Sequence, residues 1–419
     1  KYPSYYLLPY SIAFLHKQLK EYDEALTVLE PTFKMAPEFS GSSVLKANIL
    51  YEQGKLKEAI KFASTAFDNF PEDHNLGRLY ASMLVEDKQL DEAEDVFQSL
   101  IDHYPQAPSL KLSLGLVKIE NHKIDDAKVI FQELLDDNLH PNEAHFYLAR
   151  IAEKEKNIDI AIAHYQQIQE SPNYEAAIER VSFLLAQEDK IDQMVLYLSN
   201  LRAKDHKRKK MLWLLEVKLL SLVQAKDQMM KSLDAAIDEF PDDDQLLYAR
   251  AMNLDAENDL QGMERDLRKT LEHKPDNAIA LNALGYTLAD KTDRFQEAFQ
   301  LIQKAHTIEP ENPAILDSLG WVLFKLKQRE EALIYLLTAF QAYQDGEVAA
   351  HLGEVLWSLN QTTEALEVWT NILRKDPTHP VLRDTINRFA PKILEDIDSS
   401  NTAKETPPNE TTEENKQVD

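Results

Sequence analysis

Cysteine is absent from the 419 residues of this chain, which excludes disulfides, thiolate metal sites and cysteine nucleophiles. Glycine is scarce, with nine residues, so helices are favoured over a fold built from strands and tight hairpins. No apolar run reaches the roughly 18 residues that a membrane-spanning helix needs. Basic residues are the minority: 46 Lys and Arg stand against 72 Asp and Glu, a formal charge of −26. This charge argues against nucleic acid as a ligand and suits basic protein partners.

Motifs of catalysis and of metal binding are also missing. The chain has no Gly-rich phosphate loop, no His-Glu-x-x-His and no Gly-x-Ser-x-Gly, and its twelve histidines are scattered. An enzyme would need side chains gathered from distant parts of the fold. We therefore predict a non-enzymatic protein with no catalytic residue, no cofactor and no metal site.

What the chain does contain is an internal repeat. The spacing between successive members of an alanine and methionine series is 34 residues at first and between 33 and 35 later. Proline follows many members after twelve residues, where a second helix must stop. The pattern predicts about eleven helix-turn-helix units over approximately residues 6–378. The series is Ala25, Ala59, Ala93, Ala127, Ala161, Met194, Met229, Met263, Ala298, Ala332 and Ala365.

This unit resembles the tetratricopeptide repeat, whose small residues at positions 8, 20 and 27 correspond here to Gly285, Ala298 and Ala305. The resemblance implies an all-α superhelical solenoid. Units six to eight match less well, because methionine replaces the position-20 alanine and Glu216 takes an apolar position. The predicted packing residues of the last three units are Gly285, Ala298, Ala305, Gly320, Ala332, Gly353 and Ala365.

Gly285 lies inside "LNALGYTLAD", which otherwise reads as a helix. A glycine there costs about 0.5–1 kcal/mol relative to alanine. We interpret Gly285 as a packing residue that lets its helix approach the helix of Ala298 closely, so that burial of apolar surface offsets the cost.

The ends of the chain differ from the repeats. Residues 379–397 contain Leu382, Ile386 and Phe389 at helical spacing and should cap the solenoid, which is expected to cover residues 1–397. Residues 398–419 are almost free of apolar side chains and are predicted to form a disordered acidic tail. "KYPSYYLLPY" reads as a repeat helix entered midway, so further repeats and any lipid-acceptor cysteine are expected upstream.

The repeat register also predicts a binding surface, because first-helix positions 2, 5, 9 and 12 usually line the concave face. Aromatic and polar residues gather there in the last three units. An alternative is that these rings pack against the cap or a neighbouring superhelical turn. Trp213 and Trp369 fall at packing positions and are predicted to be structural. The predicted partner-binding residues are Asn282, Tyr286, Asp317, Trp321, Phe324, Glu354 and Trp357.

One dense basic run, "RAKDHKRKK" at residues 202–210, lies where the repeat is weakest. It could contact an anionic surface, such as phospholipid headgroups or an acidic partner. It could equally be a solvated loop between helices.

Residues 278–378 resemble a more specific group. "LNALGYTLADKTDRFQEAFQLIQKAHTIEPENPAILDSLGWVLFKL" followed by "DGEVAAHLGEVLWSLNQTTEALEVW" is similar to Gram-negative outer-membrane tetratricopeptide lipoproteins. The best-understood members are adaptors for a periplasmic carboxyl-terminal processing protease. The resemblance implies a chain that binds and activates the protease and presents cell-wall hydrolases to it. It also implies a periplasmic location and membrane contact only through a lipid anchor outside this chain.

Three other functions are compatible with the sequence. The chain could be a scaffold for another envelope assembly, such as a pilus secretin or polysaccharide export. It could regulate lipopolysaccharide assembly, although that family ends in a cysteine-containing metal-binding module that is absent here. It could also be a hydrolase that acts within the groove. The sequence indicates neither the oligomeric state nor the identity of the partner.

Overall fold

The computed structural model of the chain describes residues 5–395. Within that range the regular structure is helical, with 23 helices of eight residues or more and a further helical turn at residues 392–395. The predicted tail at 398–419 and the last two residues of the predicted cap lie outside the described residues. The chain groups into two compact units, residues 1–200 and 201–419, which we call unit 1 and unit 2.

Unit 1 is a row of helical hairpins. Each odd-numbered helix packs against the even-numbered helix that follows it, from α1 with α2 to α9 with α10, and each hairpin packs on the next. A twelfth helix, α12 (Ile191–Lys204), runs across the boundary of the units. The other helices of unit 1 are α1 (Leu7–Gln18), α2 (Tyr22–Met35), α3 (Ser40–Glu52), α4 (Leu56–Asn69), α5 (His74–Glu86), α6 (Leu90–His103), α7 (Pro108–Glu120), α8 (Ile124–Asp136), α9 (Pro141–Lys154), α10 (Ile158–Tyr165) and α11 (Tyr174–Gln187).

Unit 2 repeats the same arrangement. Its hairpins pair α13 with α14 through to α21 with α22, and first helices of neighbouring hairpins also touch, as α17 touches α19 and α19 touches α21. The helices are α13 (Lys209–Leu222), α14 (Lys226–Glu239), α15 (Asp244–Ala256), α16 (Leu260–His273), α17 (Ala278–Lys291), α18 (Phe295–Ile308), α19 (Pro313–Lys325), α20 (Arg329–Ala342), α21 (Gly346–Ser358), α22 (Thr362–Lys375) and α23 (Pro380–Phe389).

This architecture confirms the predicted fold class. The helices α1–α22 make eleven successive first-and-second pairs, as the 34-residue period predicts. The helix α23 lies in the predicted cap, packs against α21 and α22, and buries Leu382 and Ile386 completely.

Proline marks the ends of the second helices, as the sequence predicts. For example, α18 ends at Ile308 and Pro310 follows two residues later, so a ring without an N–H stands where the helix would have to continue. The same two-residue offset recurs after six other second helices. The prolines concerned are Pro37, Pro71, Pro105, Pro241, Pro275 and Pro377.

The turn between the two helices of a hairpin uses one residue with positive φ. It stands five residues before the position-20 residue in ten of the eleven hairpins, and only Gly54 among them is a glycine. The hairpin of α17 and α18 has one extra residue and an extended Thr292 instead (φ −141°). The positive-φ turn residues are Lys20, Gly54, Lys88, His122, Lys156, Asp189, Gln224, Asn258, Lys327 and Asn360.

The position-8 glycines lie where the helices of a hairpin approach most closely. A Cβ added to Gly285 would lie 2.5 Å from Ile302 Cγ1 and 3.0 Å from the Ala298 carbonyl oxygen. A Cβ at Gly320 would meet Leu336 Cγ at 2.5 Å. This geometry accords with the interpretation of Gly285 as a packing residue. The small residues opposite are fully buried, namely Ala298, Ala305, Ala332 and Ala365.

The irregular middle repeats contain a buried ion pair. Glu216 is 1% exposed, and its carboxylate accepts hydrogen bonds from Arg202 Nη1 and Ser232 Oγ, both at 2.6 Å. The Arg202 guanidinium lies 3.5 Å from the centre of the Trp213 ring, and Trp213 Nε1 donates to Glu239. Buried charge needs such partners, so the polar residue in the apolar register is compensated locally.

Candidate partner-binding cleft

Four first helices of unit 2, α15, α17, α19 and α21, line a cleft of about 540 Å³ together with the loop before α21. First helices face it because the second helices pack behind them in each hairpin. The lining residues are Tyr248, Met252, Asp255, Ile279, Asn282, Ala283, Tyr286, Thr287, Asn312, Ala314, Ile315, Asp317, Ser318, Tyr343, Asp345, Glu347 and Val348.

Two large apolar side chains of the cleft are open to solvent. Ile279 is 56% exposed and Tyr343 is 61% exposed, whereas Tyr248, Met252 and Tyr286 are half-buried around them. Apolar side chains exposed inside a concavity are typical of a surface that binds another molecule.

The charge of the cleft is of one sign. Its lining includes four carboxylates and no Lys, Arg or His. Asp255 accepts from Lys291 Nζ at 2.9 Å, and Asp317 pairs with His351. Neither Asp345 nor Glu347 forms an ion pair among the described residues: Asp345 caps α21 by accepting from the Glu347 amide, and Glu347 accepts from the Tyr286 hydroxyl and interacts electrostatically with the buried His351.

Asp317 belongs to a buried cluster behind the cleft. His351 Nδ1 lies 3.0 Å from both Asp317 carboxylate oxygens, and the Trp321 indole stacks on the imidazole with centroids 4.1 Å apart. Trp321 Nε1 donates to Asp290 Oδ1 at 3.3 Å. Burial alone would lower the pKa of His351, but the charge and hydrogen bond of Asp317, together with the charges of Glu347 and Asp290, outweigh it, so the pKa is raised. These interactions favour the protonated imidazole.

Tyr286 stays a hydrogen-bond donor at the cleft wall. Burial raises the pKa of its hydroxyl far above the ordinary value, and the neighbouring Glu347 carboxylate raises it further. The phenol therefore keeps its proton and holds the Glu347 carboxylate in place.

The structure brings three predicted partner-binding residues, Asn282, Tyr286 and Asp317, to this cleft. It corrects the expected accessibility of two. Asp317 and Trp321 are buried, Trp321 being only 5% exposed. Asp317 pairs with the buried His351, and Trp321 stacks on the same imidazole. Their predicted role in partner binding stays a prediction.

Of the other predicted binding residues, Trp357 and Glu354 lie near the cap and Phe324 does not. Trp357 stacks on Trp369 at 5.8 Å and contacts Phe389 at the same centroid distance, as in the alternative in which the rings pack on the cap. Glu354 pairs with Arg388 at 3.1 Å, and Phe324 lies against Trp321. Trp369 is fully buried.

Of the seventeen residues that line the cleft, the sequence reasoning missed fourteen, including the four that give the cleft its exposed apolar and acidic character. Ile279 and Glu347 stand at position 2 of their first helices, a position that the register assigns to the concave face, so a position-2 search would have found them. Tyr343 and Asp345 lie in the connecting loop, where the repeat register makes no assignment.

The basic run at 202–210 is largely paired within unit 2. Besides the buried Arg202, Arg208 pairs with Asp205 at 2.7 Å, and Lys209 pairs with Glu239. Lys210 lies 2.5 Å from Asp243. The run therefore offers little unpaired positive charge for an anionic surface.

Unit 1 has a cleft of its own, of about 560 Å³, between α7, α8 and α9. Its lining has four aliphatic side chains, one aromatic ring and four charged residues, two of each sign. The residues are Leu116, Ile119, Glu120, Ile124, Tyr147, Arg150, Ile151, Lys154 and Glu155.

Across residues 5–395, no helix combines the length and the apolar character that crossing a membrane requires. In the same part of the chain, no group of three or more His, Asp or Glu is arranged to hold a metal ion.

Known protein families match parts of the chain. A family model for the anaphase-promoting complex, cyclosome, subunit 3 matches residues 18–100, and a tetratricopeptide repeat model matches residues 112–176. A tetratricopeptide repeat-containing protein of Pseudomonas aeruginosa is 40% identical over 211 residues, which are 50% of this chain and 36% of that protein. The chain thus spans about a third of that relative's length. These matches support the assignment of the chain as a tetratricopeptide repeat protein.

Solved structures of repeat proteins are similar at low identity. The Cut9–Hcn1 hetero-tetramer of the anaphase-promoting complex has 13% identity and a TM-score of 0.43, over 95% of this chain and 91% of that one. Yeast Tom70 has 14% identity and a TM-score of 0.42, over 97% and 100%.

Proposed function

We propose that this tetratricopeptide repeat protein is a non-catalytic adaptor that binds and activates a periplasmic carboxyl-terminal processing protease and presents cell-wall hydrolases to it. The observation that supports a binding role is the cleft of unit 2, where exposed Ile279 and Tyr343 stand beside two carboxylates that form no ion pair among the described residues. The similarity of residues 278–378 to the adaptor lipoproteins, which covers the cleft's last three first helices, supports the choice of partner.

An adaptor needs two surfaces, one for the protease and one for its substrate. The cleft of unit 2 is acidic, whereas the cleft between α7, α8 and α9, one of several concavities in unit 1, combines aliphatic side chains with charges of both signs. Two ligands held on one chain meet at a raised effective concentration, which speeds their reaction without any catalytic group of the scaffold.

A non-catalytic role accords with the groups around the cleft of unit 2. His351, the titratable group most suited to acid-base chemistry near pH 7, is buried between Asp317 and Trp321. The Tyr286 hydroxyl is committed to Glu347. We place the protein in the periplasm, tethered to the outer membrane through a lipid anchor on residues outside this chain.

The proposal is tested by reconstitution. The full chain is mixed with a purified carboxyl-terminal processing protease and a cell-wall hydrolase, and loss of the hydrolase is followed on gels. We expect at least about tenfold faster cleavage with the chain present, in line with the gain that tethering provides. The double variant Ile279→Ser, Tyr343→Ser should lose most of this gain.

A matched control replaces two apolar residues of similar exposure in unit 1, Val129→Ser and Ile160→Ser, at 59% and 54% exposed. It should retain the activation. Unchanged cleavage in the presence of the chain would refute the adaptor role. Capture of pilus secretin or polysaccharide export subunits from an envelope extract, without a processing protease, would favour the other envelope scaffold.

A further inference from the structure

The geometry points to a defined chemistry for the partner of the unit 2 cleft: an extended peptide segment in which a lysine or arginine side chain stands next to a large apolar one. The inference rests on the proposed role of the cleft as a partner-binding surface and deepens it. It concerns which segment the cleft recognises and is independent of which protein carries that segment.

The first step is charge. Four carboxylates line the cleft, and two of them are balanced, Asp255 by Lys291 and Asp317 by the buried His351. Asp345 and Glu347 stand two residues apart at the start of α21, and neither forms an ion pair among the described residues, although the charge of Glu347 also acts on the buried His351. An acidic segment would be repelled here, whereas a cationic side chain would supply an ion-pair partner.

The second step is hydrogen bonding. Asp345 uses Oδ1 to accept from the Glu347 amide, and Glu347 uses Oε1 to accept from the Tyr286 hydroxyl. Each carboxylate therefore keeps its second oxygen, and an ammonium or guanidinium group has several N–H donors that can reach both.

The third step is the apolar wall. Ile279 and Tyr343 expose more than half of their surface at the same cleft, so an aliphatic or aromatic side chain beside the cation would remove apolar surface from water on both partners. Asn282 lines the cleft and is half-buried, and its enclosed Oδ1 accepts no hydrogen bond among the described residues. Rotation of this side chain toward the cleft would let Oδ1 accept from a backbone N–H of an extended peptide, whose amides, unlike those inside a helix, have no partner.

The test uses three fluorescein-labelled octapeptides and the full chain. The first alternates Leu and Lys, the second replaces every Lys by Glu, and the third replaces every Leu by Ser. Binding is measured by fluorescence anisotropy near physiological salt, where diffuse attraction is largely screened. We expect the Leu-Lys peptide to bind at least about tenfold more tightly than either of the others.

The decisive variant is Asp345→Asn with Glu347→Gln. Asn remains a good N-cap and Gln still accepts from Tyr286, so the fold should be unchanged, as circular dichroism will check. We expect the affinity for the Leu-Lys peptide to fall about five- to tenfold.

A control with the same change of net charge separates the cleft from the general field of the protein. Asp125→Asn with Asp159→Asn removes two carboxylates of unit 1 that are 97% and 88% exposed. It should leave the affinity within about twofold, because these charges are screened from the cleft. Equal loss in both double variants, or equal binding of the Leu-Glu peptide, would overturn the inference.

The outcome is distinguishable from that of the proposed function. If the Leu-Lys peptide binds through Asp345 and Glu347 but the protease is not activated, the adaptor role fails and the inference stands. If the protease is activated and neither cleft carboxylate affects peptide binding, the inference fails alone.

Discussion

His351 is a titratable group enclosed by the core of unit 2, and its pKa is raised. Its imidazole lies between the Asp317 carboxylate and the face of the Trp321 indole. Lys325 Nζ also lies over the Trp321 ring, 4.4 Å from its centre. Removing one partner of such a pair leaves a buried charge without compensation, which typically costs about 3–5 kcal/mol. The cluster is therefore a structural support of the cleft wall.

The raised pKa of His351 gives this support a pH dependence. A group whose pKa is higher in the folded state stabilises the fold fully below its unfolded value, about 6.5 for histidine, and this stabilisation is lost as the pH rises through the folded value. We predict that the Tm difference between the wild type and His351→Gln is largest near pH 6 and shrinks at higher pH. Thermal melting followed by circular dichroism checks it.

His206→Gln is the control for this measurement, because His206 is exposed and the composition changes identically. It should melt as the wild type does at every pH. A difference for His351→Gln that grows with pH, or that does not depend on pH, would contradict the assignment of a buried imidazolium.

Gly353 is the glycine with the least room. An added Cβ would lie 2.0 Å from Trp369 Nε1, and Trp369 is itself enclosed by Trp357 and Phe389. We predict that Gly353→Ala lowers stability by about 1–3 kcal/mol through overpacking, which exceeds the gain in helix propensity of up to about 1 kcal/mol. Urea unfolding followed by tryptophan fluorescence measures it.

The expected cost of Gly353→Ala depends on the space beside the Trp369 indole, so a second mutation at Trp369 tests the cause. In a Trp369→Phe background the smaller ring leaves room for a methyl group, and the cost of Gly353→Ala should fall. An equal cost in both backgrounds would mean that the glycine matters for a reason other than the indole.

At the scale of the element, the turn inside each hairpin is the least favourable stretch of backbone. Nine of the ten positive-φ turn residues are not glycine, although a left-handed conformation costs a residue with a Cβ roughly 1–2 kcal/mol. Packing of the two helices on either side holds the turn in this conformation.

Lys327 and Gly54 test this account in opposite directions. Lys327 is exposed and has φ +69°, whereas Gly54 has φ +75° and open space where its Cβ would be. We predict that Lys327→Gly stabilises the chain by about 0.5–1 kcal/mol, because relief of strain exceeds the added entropy of the unfolded chain, and that Gly54→Ala destabilises it by a similar amount. Changes of Tm in the same direction for both variants would refute the account.

The elements were also the part most open to prediction. The 34-residue series located eleven hairpins, and seven prolines marked where second helices end, because both signals act within a few residues of the backbone that they shape. The positive-φ turn residues could not be recognised, since Lys and Gln are not turn formers and their conformation is imposed by tertiary packing.

At the scale of the whole molecule, the candidate site was only partly predictable. Asn282 and Tyr286 were found from repeat register alone and line the cleft. The burial of Trp321 was not predicted, because it depends on His351, thirty residues later in the next repeat. Tyr343 and Asp345 belong to a loop that the register does not describe, so no pattern in the sequence could assign them to the cleft.

The net charge of −26 is consistent with a preference for basic partners. The one dense cluster of cations, residues 202–210, is mostly engaged with carboxylates of the chain itself. The negative excess is therefore what an approaching molecule meets, which favours encounter with basic partners and weakens with salt.

The offset between turn and packing residue, which recurs in ten of the eleven hairpins, has a genetic consequence. Because most hairpins repeat one register, an in-frame duplication or loss of the codons for one 34-residue segment would join surfaces of the same kind. Such a chain would gain or lose one module of its binding wall in a single event, with no new junction for selection to repair.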